Sequence, residues 1–210
     1  FHIYAKADHG ISVFLVENGT PGISFQKRED VMGLRAMPVY DVTLKNCKVP
    51  EDQLVSEEGK GLKIFIATFN FSRVAQASMF IGAARGIFEK ALEFAKRREV
   101  REKQFVTDFQ GIQWLIADLA TKIEAAASLT YRAAWLADAG RDFSREGSMA
   151  KLFAGEMALE VIHRSMSLVG GWSCYRSMPF ERLLRDVKTQ QFAGGSLEIL
   201  RNIIARQVLK

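Results

Sequence analysis

The hydrophobic pattern of this 210-residue chain changes once, from short β-like runs to long helical runs. Four strand-length runs rich in Val, Ile, Phe and Tyr occupy residues 1–7, 11–17, 23–29 and 39–46. Turn segments with Gly or Pro separate them, at Asp8–Gly10, Asn18–Gly22 and Met32–Pro38. These runs predict an antiparallel β-sheet. Because the first run starts at residue 1, we expect further strands of this sheet to lie outside the chain.

Long alanine-rich helical runs follow the loop Val49–Gly61. The predicted helices are Leu62–Arg98, Asp108 to just before Gly140, Ser144–Val169, a short helix after Pro179 and a last helix from Ser196. Gly140 and the pair Gly170–Gly171 supply stop signals. The interpretation is an α+β fold, with a partial antiparallel β-sheet (domain 1–55) followed by an up-and-down α-helical bundle (domain 56–210).

Apolar positions at three- and four-residue spacing identify the inward faces of these helices. In the second helix they are Phe109, Ile112, Leu115, Ile116, Leu119 and Ile123, and in the third Leu152, Phe153, Met157, Val161 and Ile162. Trp114 and the methionines are interpreted as core residues as well.

Composition indicates a soluble globular protein with a basic surface. Hydrophobic residues make up 48% of the chain, and no continuous apolar run reaches the roughly 20 residues of a membrane-spanning helix. We therefore expect a cytoplasmic protein, or a mitochondrial-matrix protein in a eukaryote. Cys47 and Cys174 have no partners at metal-ligand spacing, which favours free thiols and argues against a zinc site. The net charge of +5 suits phosphate-bearing ligands without distinguishing a nucleotide from a nucleic acid.

Two glycine pairs are the most informative candidate sites. Gly170–Gly171 and Gly194–Gly195 each stand at a helix end, where backbone N–H groups can bind phosphate or carbonyl oxygens, although such pairs also serve as ordinary caps. The basic run Ala95–Lys103 is, by default, a solvated helix end. The three histidines, His2, His9 and His163, are assigned structural or surface roles.

Five segments, taken in order, resemble the acyl-CoA dehydrogenase family of FAD flavoproteins. They are "GISVFLVENGTPGISFQKREDVMGLRAMPVYDVTLKNCKVPEDQLVSEEGKGLKIF", "FNFSRVAQASMFIGAARG", "DFQGIQWLIADL", "MPFERLLRDVK" and "EILRNIIAR". The resemblance covers the whole chain but only about the C-terminal half of the family's fold.

The resemblance implies an FAD site. Arg98, with Arg97 as its neighbour, matches an arginine that meets the FAD pyrophosphate across a subunit interface. Gln110 matches an adenosine-side glutamine, and Ser167 stands where the family has another glutamine. The remaining matched cofactor positions are Gly170, Gly171, Gly195, Ser196 and Glu198. After Arg98 the family's aromatic-glycine pair is replaced by "EVREKQF".

The resemblance also implies a substrate site without its usual base. Asn70 and Arg73 match positions near the acyl-CoA chain, although a buried Arg73 paired to a carboxylate is an equal alternative. Gly194 occupies the position of the glutamate that takes the α-proton of the thioester, and its N–H matches a donor to the thioester carbonyl. Some family members carry that glutamate elsewhere, at the position of Ser72, whose hydroxyl is far too weak a base. The catalytic residue is therefore unknown.

Three functions remain open at this stage. The first is an FAD-dependent oxidoreductase that performs α,β-dehydrogenation of an acyl-CoA thioester with a base from elsewhere. The second is a non-catalytic subunit that forms part of an FAD site in a heteromeric enzyme, and the third is a DNA-binding relative. The expected partners are acyl-CoA, further subunits of a homo- or hetero-oligomer (dimer or tetramer) and electron-transfer flavoprotein. Neither a membrane nor a nucleic acid is expected as a partner.

Overall fold

The computed structural model describes all 210 residues, which form two compact units. Unit one contains Phe1–Val31 and Arg35–Phe69, and unit two contains Met32–Leu34 and Asn70–Lys210. The domain boundary expected between residues 55 and 56 stays a prediction.

Unit one consists of two antiparallel hairpins. β1 (His2–Ala7) pairs with β2 (Gly10–Leu15) around a two-residue turn, and β3 (Ile23–Arg28) pairs with β4 (Tyr40–Leu44). The predicted antiparallel pairing is confirmed, and it takes the form of two separate two-stranded ladders. A short 3₁₀ turn at Glu51–Gln53 follows β4.

Unit two contains the helical bundle, and α1 (Gly61–Arg97) enters it from unit one. The other helices are α2 (Gln110–Asp138), α3 (Ser144–Val169), α4 (Phe180–Gln190) and α5 (Leu197–Val208), with 3₁₀ turns at Val106–Asp108 and Gly170–Cys174. All five predicted helices are confirmed, with ends shifted by at most about two residues. A small hairpin of β5 (Glu99–Arg101) and β6 (Gln104–Phe105) follows α1 and was not predicted.

The bundle core is built on a heptad stripe of α1. Ala77, Ala84 and Ala91 are fully buried and alternate with Phe80 and Ile87, which are buried as well. Small residues let neighbouring helices approach closely, while each large side chain contributes roughly 2–3 kcal/mol by leaving water.

The predicted inward faces of α2 and α3 are confirmed in part. Leu119 and Ile123 of α2 and Met157, Val161 and Ile162 of α3 belong to the core. Several core assignments are wrong, because the side chains are exposed: Phe109 (40%), Trp114 (64%) and Phe153 (37%), together with the methionines Met32, Met37 and Met79. In α3, Phe153 stays outside the core because small residues face inward there instead: Ala150, Ala154, Gly155 and Ala158.

One helix, α1, is long and apolar enough to cross a membrane by length and composition, with a mean hydropathy of 1.2 over its most apolar 18 residues. The expectation from sequence concerned continuous apolar runs, and charged residues such as Lys63, Arg73 and Arg85 interrupt α1. The core helix of a bundle meets the same criterion, so this property is weak evidence for a membrane span.

Candidate functional site

The loop before α5 presents two backbone N–H groups. Gly194 (φ +68°) and Gly195 (φ +99°) lie in backbone conformations that side chains disfavour. Neither donates its N–H to a backbone carbonyl. Ser196 ends the loop as the N-cap of α5, where its Oγ accepts the N–H of Ile199 at 3.5 Å. The loop therefore offers donors to a ligand that carries an acceptor oxygen.

Lys151 of α3 holds this loop in place through hydrogen bonds to its backbone. Its side chain is completely buried, and its Nζ donates to the carbonyl of Ala193 and, at 2.6 Å, to the carbonyl of Gly195. Because one ammonium binds the carbonyls on both sides of Gly194, the backbone of that glycine is held in place. Gln191 adds a second anchor, since its Nε2 donates to the carbonyl of Gly155 on α3 at 2.7 Å.

Two buried cations face one another across this part of the bundle. Desolvation, followed by repulsion from Arg73, lowers the pKa of Lys151 to about 8. Burial likewise lowers the pKa of the Arg73 guanidinium. Arg73 donates through Nη1 to Asn70 Oδ1 at 2.9 Å and to Ser148 Oγ at 3.5 Å, and its Nε has no partner. The alternative of a carboxylate partner for Arg73 is therefore wrong.

Gln76 occupies the space that a side chain at residue 194 would need. A Cβ atom built on Gly194 would lie 2.6 Å from Nε2 and 3.1 Å from Oε1 of Gln76. The same Nε2 donates to Ser72 Oγ at 2.8 Å, and Oε1 is buried without a partner. Both positions where the family resemblance placed a base are thus joined through one amide.

No carboxylate contacts this cluster. Gln76 lies against Gly194 and is bonded to the Ser72 hydroxyl, while Lys151 binds the carbonyls on either side of Gly194. Arg73 lies close enough to Lys151 to repel it. A cationic site without an acid can stabilise negative charge on a ligand oxygen, but it holds no group suited to accept a proton from carbon.

A second cluster lies at the C-terminal end of α3. Arg98, the first residue after α1, donates through Nη1 to the carbonyl of Val169 at 3.2 Å. Gly170 (φ +74°) permits this approach because it has no side chain. A Cβ at this position would lie 3.1 Å from the same nitrogen. Most of the guanidinium donors stay exposed to solvent. A cleft of about 580 Å³ borders Arg98 and is lined also by Phe94, Met178 and Pro179.

The other predicted cofactor residues lie singly at helix ends. Gln110 is the first residue of α2, and Ser167 is exposed on the last turn of α3. Glu198 is exposed in the first turn of α5, where a hydrogen bond from its own backbone N–H and one from Ser196 lower its pKa. The structure brings together Arg98 with Gly170 and the Gly194 group with Lys151, and it records no hydrogen bond between the two clusters.

Two residues of the Gly194 cluster, Gln76 and Lys151, were missed by sequence reasoning. A signal for each was available. Gln76 lies three residues after Arg73 and four before Phe80, on the stripe that is buried along α1. Lys151 lies on the small-residue face of α3, between Gly147 and Ala154. A polar residue on a buried stripe marks a specific partner.

Other candidate chemistry is absent from these clusters. His2, His9 and His163 are exposed, and Cys47 and Cys174 are free thiols. No three His, Cys, Asp or Glu side chains lie close enough together to hold a metal ion.

Comparison with known proteins identifies the family. A family model described as acyl-CoA dehydrogenase, C-terminal domain, matches residues 59–209. Acryloyl-CoA reductase (NADH) of Anaerotignum propionicum is 37% identical over 205 residues, which cover 98% of this chain and 52% of that protein.

Solved structures give the same result over the whole chain. Butyryl-CoA dehydrogenase from Megasphaera elsdenii superposes with a TM-score of 0.95 and 31% identity, covering 100% of this chain and 56% of that one. A structure described as the electron transferring flavoprotein of Acidaminococcus fermentans has a TM-score of 0.95 and 35% identity, with the same coverage. The chain spans about half the length of the curated relatives that it matches. On the family match across 59–209 and the shared fold, the chain belongs to the acyl-CoA dehydrogenase family and contains its C-terminal domain.

Proposed function

We propose that the chain forms part of an FAD-dependent oxidoreductase that acts on an acyl-CoA thioester by α,β-dehydrogenation. The observation that carries this proposal is the loop at Gly194 and Gly195, whose free N–H groups are held in place by the buried Lys151. A thioester carbonyl is a ligand that such a pair of donors can bind.

The chain's residues fit an FAD pyrophosphate. The Arg98 guanidinium is exposed and uses one donor on Val169, which leaves others for two phosphate oxygens. Gln110 would contact the adenosine side, and Ser196, the N-cap of α5, would lie near a phosphate. Bound FAD would supply the acceptor for the hydride that leaves the β-carbon. Because the resemblance sets Arg98 at a subunit interface, the proposal includes an oligomer.

Gly194 would polarise the thioester carbonyl through its N–H. Negative charge develops on that oxygen as the α-proton leaves, and preorganised donors stabilise such charge most when they need not move. The hydrogen bonds from Lys151 hold the loop rigid. The positive charges of Lys151 and Arg73 further stabilise the negative charge on the carbonyl oxygen. These three residues bind and orient; none of them removes the proton.

The base would come from outside the residues that contact Gly194. One source is the part of the enzyme that this chain does not span, and another is a partner chain. The lack of a carboxylate at residues 194 and 72 also favours a second candidate, a non-catalytic subunit that completes an FAD site in a heteromeric enzyme. The two candidates share the FAD site and differ in whether a bound thioester reduces the flavin.

The likeness to the structure described as an electron transferring flavoprotein supports a further part of the proposal, that electrons leave through a partner of that kind. Acyl-CoA as substrate is supported by the likeness to butyryl-CoA dehydrogenase and acryloyl-CoA reductase.

The FAD site is tested by comparing Arg98→Ala with Arg85→Ala. Arg85 lies on the exposed side of α1, does not line the cleft beside Arg98, and forms an exposed ion pair with Glu124 at 2.9 Å, a pair that contributes little to stability. We expect Arg98→Ala to weaken FAD binding at least about tenfold, the loss of one charge-assisted contact, while Arg85→Ala changes it by less than about twofold. FAD fluorescence quenching during titration of the purified chain measures both affinities. Equal affinities in the two variants would remove Arg98 from the site.

A further inference from the structure

Gln76 carries a buried polar atom that the proposed reaction does not use. Its side chain is 7% exposed, and Oε1 has no hydrogen-bond partner. A buried acceptor without a donor destabilises a folded protein, so its retention needs an explanation. The amide contacts Gly194, the residue proposed to bind the thioester carbonyl.

The geometry restricts what Oε1 can accept. The other end of the amide is fixed, because Nε2 donates to Ser72 Oγ at 2.8 Å. Lys151 donates to two loop carbonyls, and Arg73 donates through Nη1 to Asn70 and Ser148. Arg73 Nε has no partner either, but it does not form a hydrogen bond with Oε1. No donor of the chain therefore pairs with Oε1, so its partner lies outside the chain. The group proposed to bind beside it is the thioester at Gly194.

The nearby charges restrict the ligand further. Lys151 and Arg73 repel one another, and no carboxylate of this cluster neutralises either of them. An ammonium group on the ligand would add a third positive charge to a desolvated site. A neutral O–H or N–H group satisfies Oε1 without that penalty.

We infer that Gln76 is a specificity-determining residue that selects an acyl group carrying a neutral hydrogen-bond donor, such as a hydroxyl, close to the thioester. This inference rests on the proposed function, since it takes Gly194 as the thioester site. Hydrogen-bonding sites discriminate strongly against ligands that leave a buried acceptor unpaired, so an unsubstituted hydrocarbon chain should bind less well.

The test measures four thioesters on the purified chain by isothermal titration calorimetry. The probes are butyryl-CoA, 2-hydroxybutyryl-CoA, 3-hydroxybutyryl-CoA and 3-aminobutyryl-CoA, the last of which carries an ammonium group. We expect one hydroxylated probe to bind about tenfold more tightly than butyryl-CoA, and the amino probe to bind no more tightly. In Gln76→Leu, the ratio of the affinities for the hydroxylated probe and butyryl-CoA, the hydroxyl preference, should fall to about one. Gln113→Leu, on the exposed face of α2, should leave this ratio unchanged.

The outcomes separate this inference from the function on which it rests. Binding of the thioesters without a hydroxyl preference, or with a preference that survives Gln76→Leu, overturns the inference alone. Tightest binding of the amino probe overturns it too, because it contradicts the neutral donor. Failure of every thioester to bind refutes the proposed function. Should Gln76→Leu not fold, Gln76→Met removes the same acceptor on an unbranched chain.

Discussion

At the scale of single residues, the site is defined by Gly194 and Gln76, because the Gln76 side chain fills the volume that a side chain at residue 194 would occupy. Gly194 has no side chain, and the amide of Gln76 lies where that side chain would begin. The two residues are far apart in sequence, on α1 and on the loop before α5. The family resemblance identified residue 194 as the position of a missing carboxylate, but it could not show that another side chain had taken its place.

This shared space changes what Gly194→Glu is expected to do. A glutamate at residue 194 would restore the carboxylate that the family resemblance places there. In the structure, its Cβ would lie 2.6 Å from Gln76 Nε2, at a φ of +68°. We expect Gly194→Glu to lower the free energy of unfolding by about 2–4 kcal/mol through overpacking and backbone strain. In a Gln76→Ala background the overpacking disappears and the cost should fall to about 1–2 kcal/mol.

Urea denaturation of the two single variants and the double variant measures this coupling as a double-mutant cycle. Equal costs of Gly194→Glu in both backgrounds would show that Gln76 does not occupy the space of a side chain at 194. The second readout is the rate of butyryl-CoA dehydrogenation with FAD. We expect this rate to be higher in the double variant than in Gly194→Glu alone.

At the scale of elements, α3 serves as the platform for the loop before α5. Lys151 and Gln191 both link that loop to α3, one through loop carbonyls and the other through the carbonyl of Gly155. A buried lysine as anchor makes the stability of this junction depend on pH. Its pKa falls from the ordinary 10.5 to about 8, because burial and Arg73 disfavour the charged form.

The sign of that dependence follows from proton counting. Between about pH 8 and pH 10.5 the unfolded chain holds a proton on Lys151 that the folded chain has released, so the free energy of unfolding rises with pH. The gain is at most about 3–4 kcal/mol, since one pKa unit corresponds to about 1.4 kcal/mol. Urea denaturation at a series of pH values should show this rise in the wild type relative to Lys151→Met.

Lys122→Met is the matched control for the pH series. Lys122 lies on α2, partly exposed, and pairs with Glu160 at 2.5 Å. Its loss should leave the rise between pH 8 and 10.5 as in the wild type. Parallel curves for the wild type and Lys151→Met would contradict a lowered pKa at residue 151.

The elements themselves were largely predictable from sequence, and the exceptions have local causes. Gly140 and Gly170 follow the ends of α2 and α3 because a glycine accepts the positive φ that terminates a helix, and both stop signals were read correctly. The β5–β6 hairpin escaped prediction because its turn uses Lys103 at φ +60°, a conformation for which the sequence gives no glycine signal. Trp114 was misplaced because periodicity alone does not show which helix faces stay uncovered.

At the scale of the whole molecule, the two units differ in how much apolar surface they bury. In unit one, Val13 and Val16 are the buried hydrophobic residues, and large apolar side chains such as Tyr4 and Val42 stay exposed. In unit two, a continuous core runs through α1, α2, α3 and α4. The expectation that further strands of the sheet lie outside the chain stays a prediction.

Hydrogen exchange should resolve this difference segment by segment along the chain. Isolated two-stranded hairpins are marginally stable, so amides of β1–β4 need only local opening to exchange, whereas amides in the middle of α1 and α3 need the core to open. We expect protection factors in the centre of α3 to exceed those in β1–β4 by about a hundredfold or more, each referred to the intrinsic rate of its amide. Mass spectrometry of peptides after timed exchange gives both sets from one sample. Similar protection in the two units would mean that the hairpins are stabilised by more than the two buried valines, and the bundle would then not be the element on which the stability of the chain depends.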